Sequence, residues 1–298
     1  MSFKFSVVGN TKDTKTIRNM SFKNIGMNIF FQSNPSGSTA DITLLYLRGV
    51  LRRNNVEYTI FDDSVDKLVS MMGYFTGDFE GVRMFSTGTN TGGTEYAVEL
   101  NLNLGQIINL SANDEFILEV RQNNGWSGNT TGAPYITYNI RESIGNAEFI
   151  PIWKAQLIQA NQSTWSISPG NNIKQIVLGS SGNLNPHILS SQIYTNARIE
   201  SDKLDIDESV NDLIGRIYGD FEYASTGAFR YQNFGFGFSV PLNNCSILVN
   251  LRAGNVTGTN CWIGYMQALL TKETAEAWAM REEKHNRKNV AFAMQQIG

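Results

Sequence analysis

The sequence predicts an all-β fold: two tandem eight-stranded antiparallel jelly rolls, each with one short helix, followed by a C-terminal helix. Three observations predict it. The chain of 298 residues carries 32 Asn and 27 Gly among short apolar runs, the composition of strands joined by tight turns. Its 17 Phe, 11 Tyr and 5 Trp give it the apolar surface for a packed core, against disorder. Above all, the chain resembles itself.

Residues 62–69 (Asp-Asp-Ser-Val-Asp-Lys-Leu-Val) return as residues 207–214 (Asp-Glu-Ser-Val-Asn-Asp-Leu-Ile). Gly77-Asp78-Phe79-Glu80 returns as Gly219-Asp220-Phe221-Glu222, and the run from Asn113 to Arg121 aligns with Asn244 to Arg252. The three matches keep their order, while the offset shrinks from 145 to 142 to 131, as loop deletions in the second copy produce. The period is too long for a solenoid or a propeller blade, so each copy is a domain. The organisation expected is a first jelly roll over 1–150, a second over 151–270, and a helical tail over 271–298, with the boundary between copies inside 145–172.

Each element has a local reason. Residues 40–52 form a β-rich apolar run, and Val56, Tyr58 and Ile60 alternate along a second strand. Val65, Leu68, Val69 and Met72 then fall at helical spacing, as do Val210, Leu213, Ile214 and Ile217 in the second copy. Asp62, Asp63 and Ser64, and Asp207, Glu208 and Ser209, suit the N-terminal ends of these helices. Further strands are expected at 78–86, 95–104, 114–122 and 134–141, then at 219–225, 229–240, 244–253 and 261–270. Alternation places Phe116, Leu118 and Val120 in one core and Ile247, Val249 and Leu251 in the other. Gly235-Phe-Gly-Phe, over 235–238, reads as strand with a bulge or a close backbone approach. From Thr271 the pattern turns helical, through Ala275, Trp278, Ala279 and Glu282, and then basic.

Two cysteines, Cys245 and Cys261, are too few for a disulfide framework. If 246–253 and 261–270 form a hairpin turning near Val256, the thiols sit about 25 Å apart at about 3.3 Å per residue, so both are expected reduced.

Composition also excludes functions. A net charge of −3 argues against general nucleic-acid binding, and no apolar run approaches a membrane span. The N-terminus lacks the charged start and apolar run of a signal peptide. With His187 and His285 the only histidines, neither a nucleophile–His site nor a zinc site has its parts, and no phosphate-binding glycine loop is present. No catalytic residue and no cofactor is expected. Asp78, Glu80, Asp220 and Glu222 lie i, i+2 on strand faces, where they read as a paired acid/base, as a structural Ca²⁺ site or as a solvated face; alternation alone accounts for the last. Trp126, in the loop around 123–132, suits a subunit contact or a sugar-stacking platform. Trp278, Arg281, Lys284, Arg287 and Lys288 in the tail suit a membrane surface or a neighbouring subunit.

Two jelly rolls with a short helix each, in a thiol-poor, Asn- and Gly-rich chain of this size, resemble the double jelly-roll major capsid proteins of tailless, membrane-containing icosahedral bacteriophages of the corticovirus and finnlakevirus type. The resemblance covers about residues 1–270. It implies a structural protein of the virion, assembled in the host cytoplasm, whose homotrimers form pseudo-hexagonal tiles of an icosahedral shell over an internal membrane. Its partners would be further copies of itself, vertex or penton proteins, membrane-associated virion proteins and lipid on the inner face, with no sequence-specific nucleic acid. The rival reading is a two-domain carbohydrate-binding, lectin-like β-sandwich pair using Trp126 and Tyr135.

Overall fold

The structure is a computed structural model, and it describes residues 2–6, 12–33, 45–76, 82–90, 93–122, 135–159, 162–180, 193–223, 229–252 and 261–270. Eighteen strands and two helices follow one another through these residues. The first nine strands are β1 (Ser2–Ser6), β2 (Lys12–Ile17), β3 (Ser21–Ser33), β4 (Leu45–Arg53), β5 (Val56–Ser64), β6 (Val82–Asn90), β7 (Gly93–Asn109), β8 (Glu115–Gln122) and β9 (Tyr135–Ile140), with α1 (Val65–Thr76) between β5 and β6. The second nine are β10 (Ile150–Leu157), β11 (Thr164–Gly170), β12 (Ile173–Ser180), β13 (Tyr194–Glu200), β14 (Asp205–Ser209), β15 (Ile217–Tyr223), β16 (Phe229–Leu242), β17 (Cys245–Leu251) and β18 (Cys261–Leu269), with α2 (Val210–Ile214) between β14 and β15.

The two sets fold identically. Strand order is β1-β9-β3-β7-β6 facing β2-β8-β4-β5 in the first, and β10-β18-β12-β16-β15 facing β11-β17-β13-β14 in the second. Adding nine to each label of the first pair of sheets gives the second pair, so the weak sequence repeat is a complete structural repeat. All pairings are antiparallel, as a jelly roll requires. Each copy has nine described strands rather than eight, because β6 and β15 add an edge to the larger sheet.

Even an irregularity is copied. Between Phe22 and Asn24 the partner strand advances from Ile108 to Asn103, and between Ile173 and Gln175 it advances from Leu242 to Gly237. Both larger sheets therefore carry the same wide bulge, at 104–107 and at 238–241, a device that bends a strand locally.

Two expectations are corrected. Residues 246–253 and 261–270 are not a hairpin: β17 and β18 belong to opposite sheets of one sandwich. Both cysteines still are free, in one buried cluster, and burial pushes each thiol up to about 11. They stay protonated and slow to react at neutral pH. Ile217 does not continue α2; the helix closes at Ile214, Gly215 and Arg216 turn back onto its carbonyls, and Ile217 opens β15. Ser209 stands at the N-cap as expected, its backbone N–H and hydroxyl both reaching the Asp212 carboxylate.

The asparagines do turn work. Among the described residues, every non-glycine with positive φ is an asparagine: Asn19, Asn54, Asn55, Asn172 and Asn244. Asn54 and Asn55, at φ 51 and 61, close the β4–β5 hairpin as a two-residue turn whose twist matches its strands. Asn55→Ala is expected to lower stability by about 1 kcal/mol through left-handed strain, and Asn55→Gly to be neutral or stabilising, as read by urea unfolding.

The first core packs Phe22 of β3 edge-on against Phe116 of β8 at 5.0 Å between centroids. In the second, Tyr194 of β13 meets Phe234 edge-on, and its hydroxyl lies 3.0 Å from the carbonyls of Gly179 and Trp262. Outside the first core, the exposed face of β2-β8-β4-β5 carries an ionic lattice. Arg52 meets Glu57 at 2.6 Å and Glu115 at 3.0 Å; Lys12 and Arg121 meet Glu119 at 2.7 and 3.3 Å; Arg18 holds Glu115 and Arg121 holds Asp62.

At the end of this sheet Asp114 is buried and accepts hydrogen bonds from Arg53 Nε and from the Ser111 N–H, both at 3.0 Å. Burial alone would raise the Asp114 carboxyl, but the Ser111 hydrogen bonds and the Arg53 charge outweigh it and hold the group below its usual value. Hydrogen bonding from Arg18 does the same for Glu115. A depressed folded value means stability that is whole above the unfolded carboxylate range and lost as pH falls through the folded value. Unfolding free energy is therefore expected to be flat from pH 7 to about 5 and to drop below about 4. Asp114→Asn should lower the neutral-pH plateau and shrink the acid drop; an unchanged acid limb would contradict this.

Candidate subunit-assembly surface

The feature that organises the molecule is the seam between its two sandwiches. α1 buries residues on every side: Val65, Leu68, Val69, Met71 and Met72, and also Lys67 and Ser70. A helix at a protein surface keeps one polar stripe, so all-round burial means a second body covers it. That body is the outer face of the larger second sheet. Cross-strand registers put Gly179, Trp262 and Leu157 in one row, then Gly235, Val177, Gly264 and Ala155, then Gly237, Gln175, Met266 and Trp153. Trp153, Val177, Trp262 and Met266 share a single hydrophobic cluster with Leu68, Met71 and the first core.

Glycine makes this fit. A β-carbon at Gly264 would stand 2.5 Å from Met71 Sδ, and one at Gly179 would stand 2.1 Å from Trp262 Cζ2. The bare backbone at these positions lets the indole lie flat and α1 come down onto it. Phe234 and Phe236 of β16 belong to the second core, and Gly235 between them is buried in register with Val177.

The bulge of the first sheet completes the seam. Trp153 Nε1 donates to the carbonyl of Leu104 at 3.1 Å, a buried bond between the two sandwiches. Gly105, at φ 80, brings the bulge to within 3.4 Å of Met266 Sδ and 3.5 Å of Trp153 Cζ2, measured from its β-carbon position. Asn233 Nδ2 also reaches the Ser70 carbonyl, at 3.5 Å.

This topology has known counterparts. The STIV major capsid protein is similar over 91% of this chain and 97% of its own, with 14% identity and a TM-score of 0.50. A chain of the atomic structure of Sulfolobus turreted icosahedral virus is similar over 90% of this chain and 91% of its own, with 13% identity and a TM-score of 0.52. The fold is one that viral major capsid proteins use. No family model and no curated protein matches the sequence.

Of the candidate site residues named from the sequence, the structure describes two. Asp220 and Glu222 lie on the edge strand β15, with Glu222 in register with Arg230 of β16. Asp78, Glu80, Trp126, Trp278, Arg281, Lys284, Arg287 and Lys288 lie outside the described residues. Among the described residues no three His, Cys, Asp or Glu side chains are grouped to hold a metal, and no helix is long and apolar enough to cross a membrane. The residues that matter to the seam, Trp153, Gly179, Trp262 and Gly264, carried one legible signal: glycine and tryptophan in strands apolar on both faces, as in Cys261-Trp262-Ile263.

Proposed function

We propose that this chain is a major capsid protein with a structural role and no turnover, acting in the virion. Its copies assemble as homotrimers whose six jelly rolls form a pseudo-hexagonal tile, and the tiles build an icosahedral shell over an internal membrane, as in the bacteriophage type the sequence resembles. The observation that carries this reading is the seam. One chain presents two sandwiches of identical topology joined by a broad apolar contact, which is a third of a six-part ring. A contact of this head-to-tail kind generates closed rings when its rotation closes. The likeness to viral coat proteins along nearly the whole chain supports the same reading.

Light scattering of the purified chain should return three times 33.2 kDa, with hexagonal outlines in negative stain. A stable monomer at high concentration would overturn the proposal. Chelation with EDTA should leave that mass unchanged, since the assembly needs no cofactor in this reading. The basic tail is assigned to the shell's inner surface or to a neighbouring subunit. Deleting residues 271–298 should leave each chain folded but impair shell assembly or binding to anionic liposomes; if neither changes, the tail has no such role.

A further inference from the structure

Three polar side chains are buried without a full set of hydrogen bonds where α1 lies on the second sandwich. Ser70 of α1 and Asn233 of β16 are each 3% exposed, and Trp262 of β18 is fully buried. Among the described residues, Ser70 Oγ, Asn233 Oδ1 and Trp262 Nε1 have no hydrogen-bond partner. Buried polar atoms of folded chains are nearly always paired, either with protein or with an ordered water.

The three groups converge. Asn233 Nδ2 reaches the Ser70 carbonyl at 3.5 Å, which sets the amide against the helix. Phe234 pairs with Leu178 and Gly179 with Trp262, so Asn233 lies one step along β16 from the first pair, as Gly179 does along β12. The Trp262 ring lies over that glycine, and Cε2, the atom bonded to Nε1, is 2.4 Å from the glycine's β-carbon position. Paired strand positions hold their β-carbons about 5 Å apart, so the indole N–H and the Asn233 carbonyl oxygen share one small stretch of the seam. Met71, next to Ser70, bounds it on the far side: Met71 Sδ and Trp262 Cζ3 stand 2.5 and 2.8 Å from the β-carbon position of Gly264.

The chemistry of the trio matches one small neutral molecule that both donates and accepts. Trp262 Nε1 can only donate, Asn233 Oδ1 can only accept, and the Ser70 hydroxyl does either. The indole N–H opposes a cation, and the amide oxygen opposes an anion. Three bonds of mixed direction are what a buried water makes. The repeat does not carry the trio: Gly215 aligns with Ser70, and Thr137 occupies the ladder position of Trp262. These polar atoms belong to the seam and not to the jelly roll as such.

We propose that the seam holds a buried water that accepts from Trp262 Nε1 and donates to Asn233 Oδ1, with Ser70 Oγ as its third partner. Hydrogen bonds then join the two sandwiches at both ends of the seam. One is direct, from Trp153 to Leu104 at the bulge, and the other runs through this water between α1, β16 and β18. The site lies within one chain, so its occupancy does not depend on whether copies assemble.

A crystal structure of the full chain should show a water within about 3.2 Å of all three atoms. Magnetic relaxation dispersion of the water oxygen should detect the same molecule in solution as a long-lived water. Asn233→Leu removes the acceptor and fills its space, and it should lower the dispersion amplitude by one water per chain. Ser70→Ala is the milder change, removing only the third partner; the water should remain and exchange about tenfold faster, the worth of one hydrogen bond. Thr164→Ala, on the exposed face of β11, should change neither reading. If Asn233→Leu does not fold, the exchange rate in Ser70→Ala decides. Crystal density without a water at these atoms would overturn the inference, as would a dispersion profile that the seam substitutions leave unchanged. Either failure would leave the shell reading intact.

Discussion

Replacing Trp153 with alanine is expected to cost about 3–5 kcal/mol and to split one unfolding transition into two. The indole is 2% exposed and spans the two sandwiches, donating to the Leu104 carbonyl while its ring packs beside Met266 and the Gly105 bulge. Removing it opens a cavity at the point where the sandwiches are coupled, so each should begin to melt on its own. Trp153→Phe keeps most of the ring but strands a buried carbonyl, and about 1–3 kcal/mol should be lost with cooperativity retained. Urea unfolding followed by fluorescence and circular dichroism distinguishes the cases. A single transition in Trp153→Ala with a loss below about 1 kcal/mol would show that the seam does not couple the two halves.

Gly179→Ala is expected to destabilise by about 1–3 kcal/mol, a large penalty for one methyl group on a strand. The reason is rigid: the added carbon would stand 2.1 to 2.4 Å from three atoms of the Trp262 ring, which is itself fully buried between α1 and the sheet. The indole must then leave its place and push on Met71. A double-mutant cycle isolates this clash. In Trp262→Ala the space is already open, so adding Gly179→Ala should cost little or even recover stability. Strict additivity would mean that the alanine acts through the β12 backbone and not through the ring.

Much of the architecture was legible from local pattern. The expected strands at 114–122, 134–141, 229–240 and 261–270 match β8, β9, β16 and β18 within about two residues at each end. Phe116, Leu118 and Val120, with Ile247, Val249 and Leu251, are all buried as alternation required. What misled was partnership. β17 and β18 follow one another and look like a hairpin, yet each pairs within a different sheet. Alternation reports which face of a strand is buried and says nothing of which strand lies beside it. The clue was that β18 is buried on both faces from Cys261 to Gly264, unlike a strand with one face in water.

The helices show the same division. Both stripes, Val65-Leu68-Val69-Met72 and Val210-Leu213-Ile214-Ile217, have the same spacing, but α1 runs to Thr76 and α2 ends at Ile214. The first is long because a second sandwich covers it; the second ends where Gly215 and Arg216, both exposed among the described residues, turn away from the helix.

The sequence by itself determined the repeat, the strands with their buried faces and the asparagine turns. These follow from each residue's own backbone preference and from alternation along a few neighbours. Tertiary structure alone decided which sheets face each other, that the larger second sheet is apolar on both sides, and that Gly179 and Gly264 exist to admit Trp262 and Met71. Those facts depend on contacts between residues up to two hundred positions apart, as between Met71 and Gly264. No local pattern encodes such a contact, because the same glycine in a strand would read as a bulge until the ring that lies over it is in place.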